Sequence, residues 1–329
     1  MKIHCALKSV LPLALGLLLG LLALPSVRAA EPWMPRSVGS SLRVLSWNVS
    51  REQFFRGEAD ARRVLEVSGA DVALLDEMPG DLNDQRLRRW LDADPSTRGW
   101  SFVIGRQGSG DQRASIISRW PLRRVDEFDQ LRYPEGKMAE WMALSGSARP
   151  LRVGPTGEFP SAGALLERDG RRWLLVSADF QCCGDSPDSW QERRRQLEAR
   201  LLRQAVLAAW QRTGADAVVL GADLNLVQGP AALDLLSGRG EQRLWPVGAR
   251  HRNSSQDWTW DGRGTPFRSK RLDFLLYSSG LRELASQIFD SERFNQLEAL
   301  EWRLDKQASG RLSEHRPVVA DFGWGDAHD

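Results

Sequence analysis

Short apolar runs recur along this chain, and five of them border on an isolated polar group. The five are Ser46-Trp47-Asn48, Leu75-Asp76-Glu77, Gly221-Ala222-Asp223-Leu224-Asn225, Arg271-Leu272-Asp273 and Ser313-Glu314-His315-Arg316-Pro317-Val318. A continuous apolar run such as Val72-Ala73-Leu74-Leu75 is the pattern of a strand buried on both faces. Segments of helical spacing lie between such runs, and strands alternating with helices specify an α/β domain. In open sheets of that class the strand ends face the ligand crevice, so these polar groups are where chemistry is expected. Each also has a plain structural use. Asn48 can cap a turn, Glu77 can pair with an arginine, Asp223 or Asp273 can cap a loop, and a His beside Pro often only packs.

Along the chain, strands are expected at Leu42–Asn48 and Asp71–Asp76, with a helix over Glu58–Ser68 that Gly69 ends. A helix over Leu82–Leu91 and strands at Trp100–Gly105 and Ala114–Ser118 follow. Recurrent Gly and Pro from Val125 to Pro160 predict irregular structure or short edge strands. Gly163–Glu167 and Arg172–Asp179 flank an Asp169-Gly170 step, a hairpin signal. The longest helix is expected from Pro187 to Trp210, with Ser189 and Glu192 as a capping box. Leu197, Leu201, Ala205 and Ala208 make its apolar stripe, and Arg193, Arg194, Arg195, Arg200 and Arg203 read as its solvated remainder. Ala217–Gly221, Leu272–Tyr277 and Val318–Phe322 read as strands and Pro230–Ser237 as a short helix.

The first residues carry a targeting pattern. Lys2 and Lys8 accompany an apolar run from Val10 to Leu24, and Val27-Arg28-Ala29 offers small residues where a signal peptidase needs them. The run is shorter than the ~20 apolar residues of a spanning helix. Residues 1–29 therefore read as a signal peptide and the protein as periplasmic or secreted, with a retained N-terminal anchor as the alternative. Residues 30–41 are a lead-in, 42–324 one folded domain and 325–329 a short tail.

Export changes the charge argument. The whole chain has 45 basic and 43 acidic residues, but Lys2, Lys8 and Arg28 leave with the signal, so 42 basic residues face 43 acidic ones. A net charge of −1 gives no global pull on a nucleic acid, whose binders show a basic excess or stripe. Cys182 and Cys183 are the only cysteines after residue 29. They cannot staple a fold, and without neighbouring Cys or His they make a poor metal site. A local loop role, free or vicinally bridged, is the expectation.

Taken together, the polar groups stand in an order that resembles the endonuclease/exonuclease/phosphatase superfamily. Its members show a strand ending in W-N, a D-I/V-x-x-L-Q-E strand, S-R-x-P-L, G-D-x-N, R-I/L-D-Y/F and a closing S-D-H-x-P. The matching segments are Trp47-Asn48, Asp71 to Glu77, Ser118 to Leu122, Asp223 to Asn225, Arg271 to Phe274, and Ser313 to Val318. The resemblance runs from Leu42 to Phe322 and implies a four-layer α/β sandwich, two packed mixed β-sheets flanked by helices, with 42–324 as the catalytic domain. This sequence departs from the pattern at three places. Asp76 replaces the usual Gln, a change expected to matter little. Glu314 replaces an Asp, which moves its carboxylate by about one bond length in a site of tight geometry. Asp179 stands where a phosphate-contacting His would be, and an Asp cannot act there as a cation at neutral pH.

The resemblance implies divalent-metal hydrolysis of phosphoesters. Glu77, with Asn48 and Glu314, would hold the ion, and all-oxygen ligands favour Mg2+ (or Mn2+/Ca2+) over zinc. Asp223 would orient or deprotonate the attacking water, Asn225 would bind phosphoryl oxygens, and Asp273 would orient His315 against the phosphate. Asp179, Arg113, Trp258 and Trp260 are candidate substrate contacts, with Arg119, Arg271 and Thr259 in the same position. Each of these has a packing or salt-bridge alternative. The expected substrate is a phosphoester from nucleic acid, phospholipid or a small organophosphate. No segment calls for an obligate protein partner, and a monomer is expected. The alternatives are a headgroup phosphodiesterase or small-molecule phosphatase, and a silent binding protein on the same scaffold.

Overall fold

The computed structural model describes residues 33–325 apart from 109–110, 146–158 and 185. The expected signal peptide and residues 326–329 of the tail lie outside the described residues. No helix among the described residues is long and apolar enough to cross a membrane.

The first half of one sheet forms from β1 (Leu42–Asn48), β2 (Val72–Pro79), β3 (Ser101–Gly108) and β4 (Gln112–Ser118). Helices α1 (Glu52–Arg56), α2 (Glu58–Ser68) and α3 (Asp84–Asp92) connect them. The chain then builds a second sheet from β5 (Leu122–Arg124), β6 (Ser161–Arg168), β7 (Arg171–Asp179), β8 (Ala217–Asp223), β9 (Leu244–Pro246) and β10 (Asp273–Ser278). Helices α4 (Lys137–Ser145), α5 (Trp190–Thr213) and α6 (Ala231–Ser237) belong to this half. Last, β11 (Leu281–Ile288), α7 (Gln296–Glu301), α8 (Ala308–Leu312) and β12 (Val318–Trp324) return to the first sheet. The orders are β11-β12-β1-β2-β4-β3 and β5-β6-β7-β8-β10-β9, six strands each.

Period-two alternation explains the four layers. Val44, Leu74 and Ile116 of one sheet share a central core with Leu175, Val219 and Leu275 of the other. The alternate residues Leu45, Leu75 and Ile117 face outward onto Val64, Leu65 and Leu87 of α2 and α3. On the far side Val176, Val218 and Leu220 pack against Ala199, Leu202, Val206 and Ala209 of α5. The two sheets approach closely near the polar ends, where a Cβ on Gly221 would overlap the Ser46 side chain. Only a glycine fits there.

Several sequence expectations shift. The lead-in is part of the fold, because Trp33 and Met34 are buried and Trp33 packs on Phe289 with centroids 4.8 Å apart. The stretch expected to be irregular contains α4, and β9, β11, α7 and α8 are additional elements. Helix α5 starts after its Ser189 cap and runs on to Thr213. Its buried face is turned by about one residue from the expected stripe, since Ala208 is exposed while Arg194, Arg195 and Glu198 are buried. Ion pairing makes this affordable: Arg194 meets Glu198 at 2.9 Å and Arg195 meets Glu192 at 2.6 Å.

Candidate active site

Strand direction gathers the polar groups at one edge of the sandwich. β1 and β2 are parallel, as are β7 and β8, so Asn48 stands beside Asp76 and Asp179 beside Asp223 in register. β10 runs antiparallel to β8 and therefore begins where β8 ends, which pairs Asp273 with Asp223. β12 runs antiparallel to β1, so His315, just before β12, lies at the same edge. Residues far apart in sequence thus meet because their strands point alternately toward and away from that edge.

The side chains there are linked. His315 Nδ1 lies 2.8 Å from Asp273 Oδ2 and 3.8 Å from Asp223 Oδ2. Asn48 Nδ2 donates to Asp223 Oδ2 at 3.1 Å, and the Asn225 main-chain N–H donates to Asp223 Oδ1 at 2.9 Å. Asn225 Nδ2 donates to the Phe180 carbonyl at 3.0 Å. Burial opposes a charged imidazole, but Asp273 and Asp223 outweigh it and raise the His315 pKa to about 10. Burial and the neighbouring Asp273 push the Asp223 carboxyl up to about 7, against the pull of His315 and the Asn225 N–H. An imidazole of raised pKa beside a carboxyl pushed toward neutrality is the arrangement acid–base chemistry uses.

Glu77 owes its place to a bulge. β2 and β4 are in register at Leu75–Ser115 and again at Met78–Arg113, so Asp76 and Glu77 together oppose Ala114. Such an insertion re-aims side chains. Glu77 has φ +49°, a left-handed conformation that costs a non-glycine residue roughly 1–2 kcal/mol. Its carboxylate meets Arg51 Nε at 3.4 Å. Glu314 is exposed, and its Oε2 accepts from Trp260 Nε1 at 3.2 Å. Glu77, Asp179, Asp223, Asn225, Glu314 and His315 all line one cavity of about 1620 Å³. Glu77 and Glu314 line the cavity, the Asn48 amide oxygen accepts the Ser50 N–H at 3.1 Å, one ligand atom each from Asp223, Asp273 and His315 lie within 4.8 Å of one another, and the buried Asp273 Oδ1 has no hydrogen-bond partner among the described residues. That chemistry fits a hard divalent cation.

The remaining candidates divide. Asp179 and Trp260 line the cavity; Arg113 and Trp258 do not. Arg113 donates to the main-chain carbonyls of Gly80 at 2.7 Å and of Gly105 and Arg106 at 3.2 Å, the structural alternative given for it. Trp258 packs on His251 with centroids 4.1 Å apart, the packing alternative given for it. Arg119 donates to the Ala70 carbonyl at 3.1 Å, and Arg271 to the Val247 carbonyl at 2.6 Å. Thr259 instead positions the site: its Oγ1 accepts the N–H groups of Leu272 at 3.0 Å and Asp273 at 2.9 Å. Asp76, given little weight from sequence, is fully buried within the carboxylate group, and its pKa is raised by burial and by Asp273 and Asp223. Its departure from the Gln pattern was the one signal pointing to it. Gln112, which donates to Asp179 Oδ2, carried no sequence signal. Cys182 and Cys183 also line the cavity, with their sulfurs 2.9 Å apart.

A family model described as the endonuclease/exonuclease/phosphatase family matches residues 45–315. Comparison with curated proteins finds no match. Among solved structures, an endonuclease/exonuclease/phosphatase from Bacteroides vulgatus superposes with a TM-score of 0.57 at 14% identity, covering 86% of this chain and 99% of that one. D. rerio TDP2 complexed with single-strand DNA product gives 0.53 at 14% identity, covering 86% and 98%. The mannosyl-6-phosphatase of Bacteroides thetaiotaomicron gives 0.52 at 14% identity, covering 86% and 99%. At such identities the likeness is one of fold.

Proposed function

This chain belongs to the endonuclease/exonuclease/phosphatase family, and from that premise we propose that it is an exported phosphodiesterase working by in-line attack of water on phosphorus. Family membership makes it a metal-dependent phosphoester hydrolase; the diester substrate, the export and Mg2+ as the ion are the proposal. The observation that carries it is the buried Asp273–His315–Asp223 group on one wall of the cavity that Glu77 and Glu314 also line.

The division of labour follows from the contacts. Glu77, Glu314 and Asn48 would hold the cation, which when bound neutralises phosphate charge and polarises the phosphorus. Asp223, fixed by Asn48 and by the Asn225 N–H, orients the attacking water and accepts its proton. Asn225 spends one amide hydrogen on Phe180 and has its second for a phosphoryl oxygen. Asp273 occupies Nδ1 of His315, leaving Nε2 as the donor toward the phosphate. Water enters opposite the leaving group, and no covalent enzyme intermediate forms.

A headgroup phosphodiesterase is the second reading, supported by the cavity rim. Phe267 and Leu144 line the cavity yet are 69% and 51% exposed, an apolar edge suited to a lipid arm. The test offers the purified chain bis-p-nitrophenyl phosphate, p-nitrophenyl phosphate, plasmid DNA, RNA and sphingomyelin, with Mg2+ or Mn2+ and with chelator. Chelator-sensitive turnover of a diester, abolished in Glu77→Ala and His315→Ala, is expected. No turnover of any substrate together with no metal binding overturns the hydrolase reading. Turnover untouched by both variants places the site elsewhere. Export is checked by the mass of the mature N-terminus, expected near Ala30.

A further inference from the structure

Two of the departures from the family pattern, Asp76 and Asp179, sit on different sheets yet meet. One oxygen each from Asp76, Asp179 and Asp223 lie within 4.8 Å of one another, and all three residues are buried. Asp76 is 1% exposed and Asp179 6%, and neither is ion-paired to a Lys or Arg among the described residues. Asp76 Oδ2 and Asp179 Oδ1 are buried without a hydrogen-bond partner among the described residues. The second Asp179 oxygen is held by Gln112, which fixes the carboxylate while Oδ1 stays open. Burying an unpaired carboxylate costs several kcal/mol. Asp223 has partners in Asn48, the Asn225 N–H and His315, but Asp76 and Asp179 each leave one buried oxygen unpartnered among the described residues, and a cation bound between the three would satisfy both.

We propose that Asp76, Asp179 and Asp223 form a second divalent-cation site, distinct from the one that Glu77 and Glu314 wall. The dimensions suit it. Oxygens on opposite sides of Mg2+ or Ca2+, at about 2.0–2.6 Å each, stand roughly 4–5 Å apart, and neighbouring ones stand closer. Three carboxylate oxygens and no sulfur or nitrogen select a hard ion such as Mg2+ or Mn2+. Asp179 and Asp223 line the cavity, so the ion has a route from solvent. The site also accounts for the Asp at position 179. An anion there repels a phosphate, whereas a dication held among the three carboxylates cancels most of their charge and can itself take a phosphoryl oxygen as a ligand. Nothing in this assignment requires that the chain turn over any particular substrate.

The test counts ions. Metal-stripped protein is titrated with Mn2+ and the free ion is followed by electron paramagnetic resonance. Wild type is expected to bind two ions per chain, Asp76→Asn and Asp179→Asn one each, and Glu77→Gln one, the other. The variants are nearly isosteric, and melting curves guard against misfolding. Without metal, Asp76→Asn is expected to melt above wild type, because it removes a buried acid, and with Mn2+ below it. Two ions retained in both Asp variants, or a single wild-type ion that neither variant disturbs, overturns the second site. So does the absence of the melting-order reversal. If Glu77→Gln keeps both ions while the Asp variants lose one, this site stands and the metal assignment in the proposed function falls.

Discussion

Thr259→Val isolates the contribution of one hydroxyl to the site. The residue is fully buried, and its Oγ1 accepts from the main-chain N–H groups of Leu272 and Asp273, at 3.0 and 2.9 Å. Its own N–H and carbonyl bond Lys270 and Arg316, so it joins the loop before β10 to the segment carrying His315. Valine keeps the shape and deletes the acceptor, stranding two buried donors. Each costs about 1–3 kcal/mol, and with partial relaxation the expected loss is roughly 3 kcal/mol. In a domain of this size that lowers the melting temperature by about 6–12 °C. Asp273 starts its strand at that tether, so its carboxylate shifts against His315, and a displacement near 1 Å costs on the order of 100-fold in kcat. Thr259→Ser keeps the acceptor and loses a methyl, about 0.8 kcal/mol. Urea unfolding and diester turnover of both variants decide the matter. A Val variant within about 0.5 kcal/mol of wild type, or a Ser variant as damaged as Val, refutes the tether.

The other expectations divide structural from functional side chains. Arg113→Gln should lose about 1–2 kcal/mol of stability while leaving KM unchanged, because the guanidinium serves carbonyls; a several-fold rise in KM alone contradicts this. Trp260→Phe removes the bond to Glu314 and should raise KM and weaken Mn2+ binding, whereas Trp258→Phe should change only the melting temperature. At the opposite end of β1, Arg43 Nε and Nη2 bond Asp321 at 2.7 and 2.8 Å, both residues being buried. Burial pushes the Asp321 pKa up, but Arg43 and the Ser37 N–H outweigh it and hold it below the usual carboxylate value. A lowered folded pKa stabilises fully above the unfolded pKa, about 3.9, and that contribution is lost as pH falls through the folded value. Asp321→Asn should cost about 3–5 kcal/mol at pH 7, and the gap to wild type should narrow in melts below about pH 3.5.

What could be read from sequence was what local pattern encodes. The strands bearing Asn48, Glu77, Asp223 and Asp273 are continuous apolar runs, so their existence and their polar ends were visible within a few residues. Ser189 was legible as a helix cap because the cap acts over three residues. The phase of α5 was not, since Arg194 is buried by virtue of Tyr133, which lies 61 residues away. Hydrophobicity alone assigns such an arginine to solvent. Edge strand β11 alternates poorly and is secured only by β12, so it carried little signal of its own. The bulge at Asp76–Glu77 depends on register with β4, a property of two strands rather than one. That is why Asp76 was underrated and why Thr259, whose hydroxyl meets N–H groups 13 and 14 residues on, could only be named as ambiguous.

Charge placement narrows the substrate more than charge count does. Arg43, Arg194, Arg195 and Arg316 are buried against Asp321, Glu198, Glu192 and Asp290, so each removes an acid from the ledger with it. Pairs of this kind remove equal numbers of bases and acids, so what they leave keeps the near-neutral balance of 45 basic and 43 acidic residues. Glu77, Asp179, Glu198, Asp223 and Glu314 line the cavity, with Asp76 and Asp273 buried beside them, against the one imidazole of His315. Of the basic residues lining it, Arg194 is held by Glu198, Lys270 donates to the Val227 carbonyl at 2.9 Å, and Arg268 stands exposed at the rim. A field of that sign repels phosphate until cations fill the site, and it reverses only locally once they do. On the proposed reading, recognition would rest on one phosphate at the metal, on Arg268, and on contact with Trp260, Phe267 and Leu144 at the rim. A site working that way would discriminate among substrates by what flanks one phosphate and would gain little from the length of a charged strand.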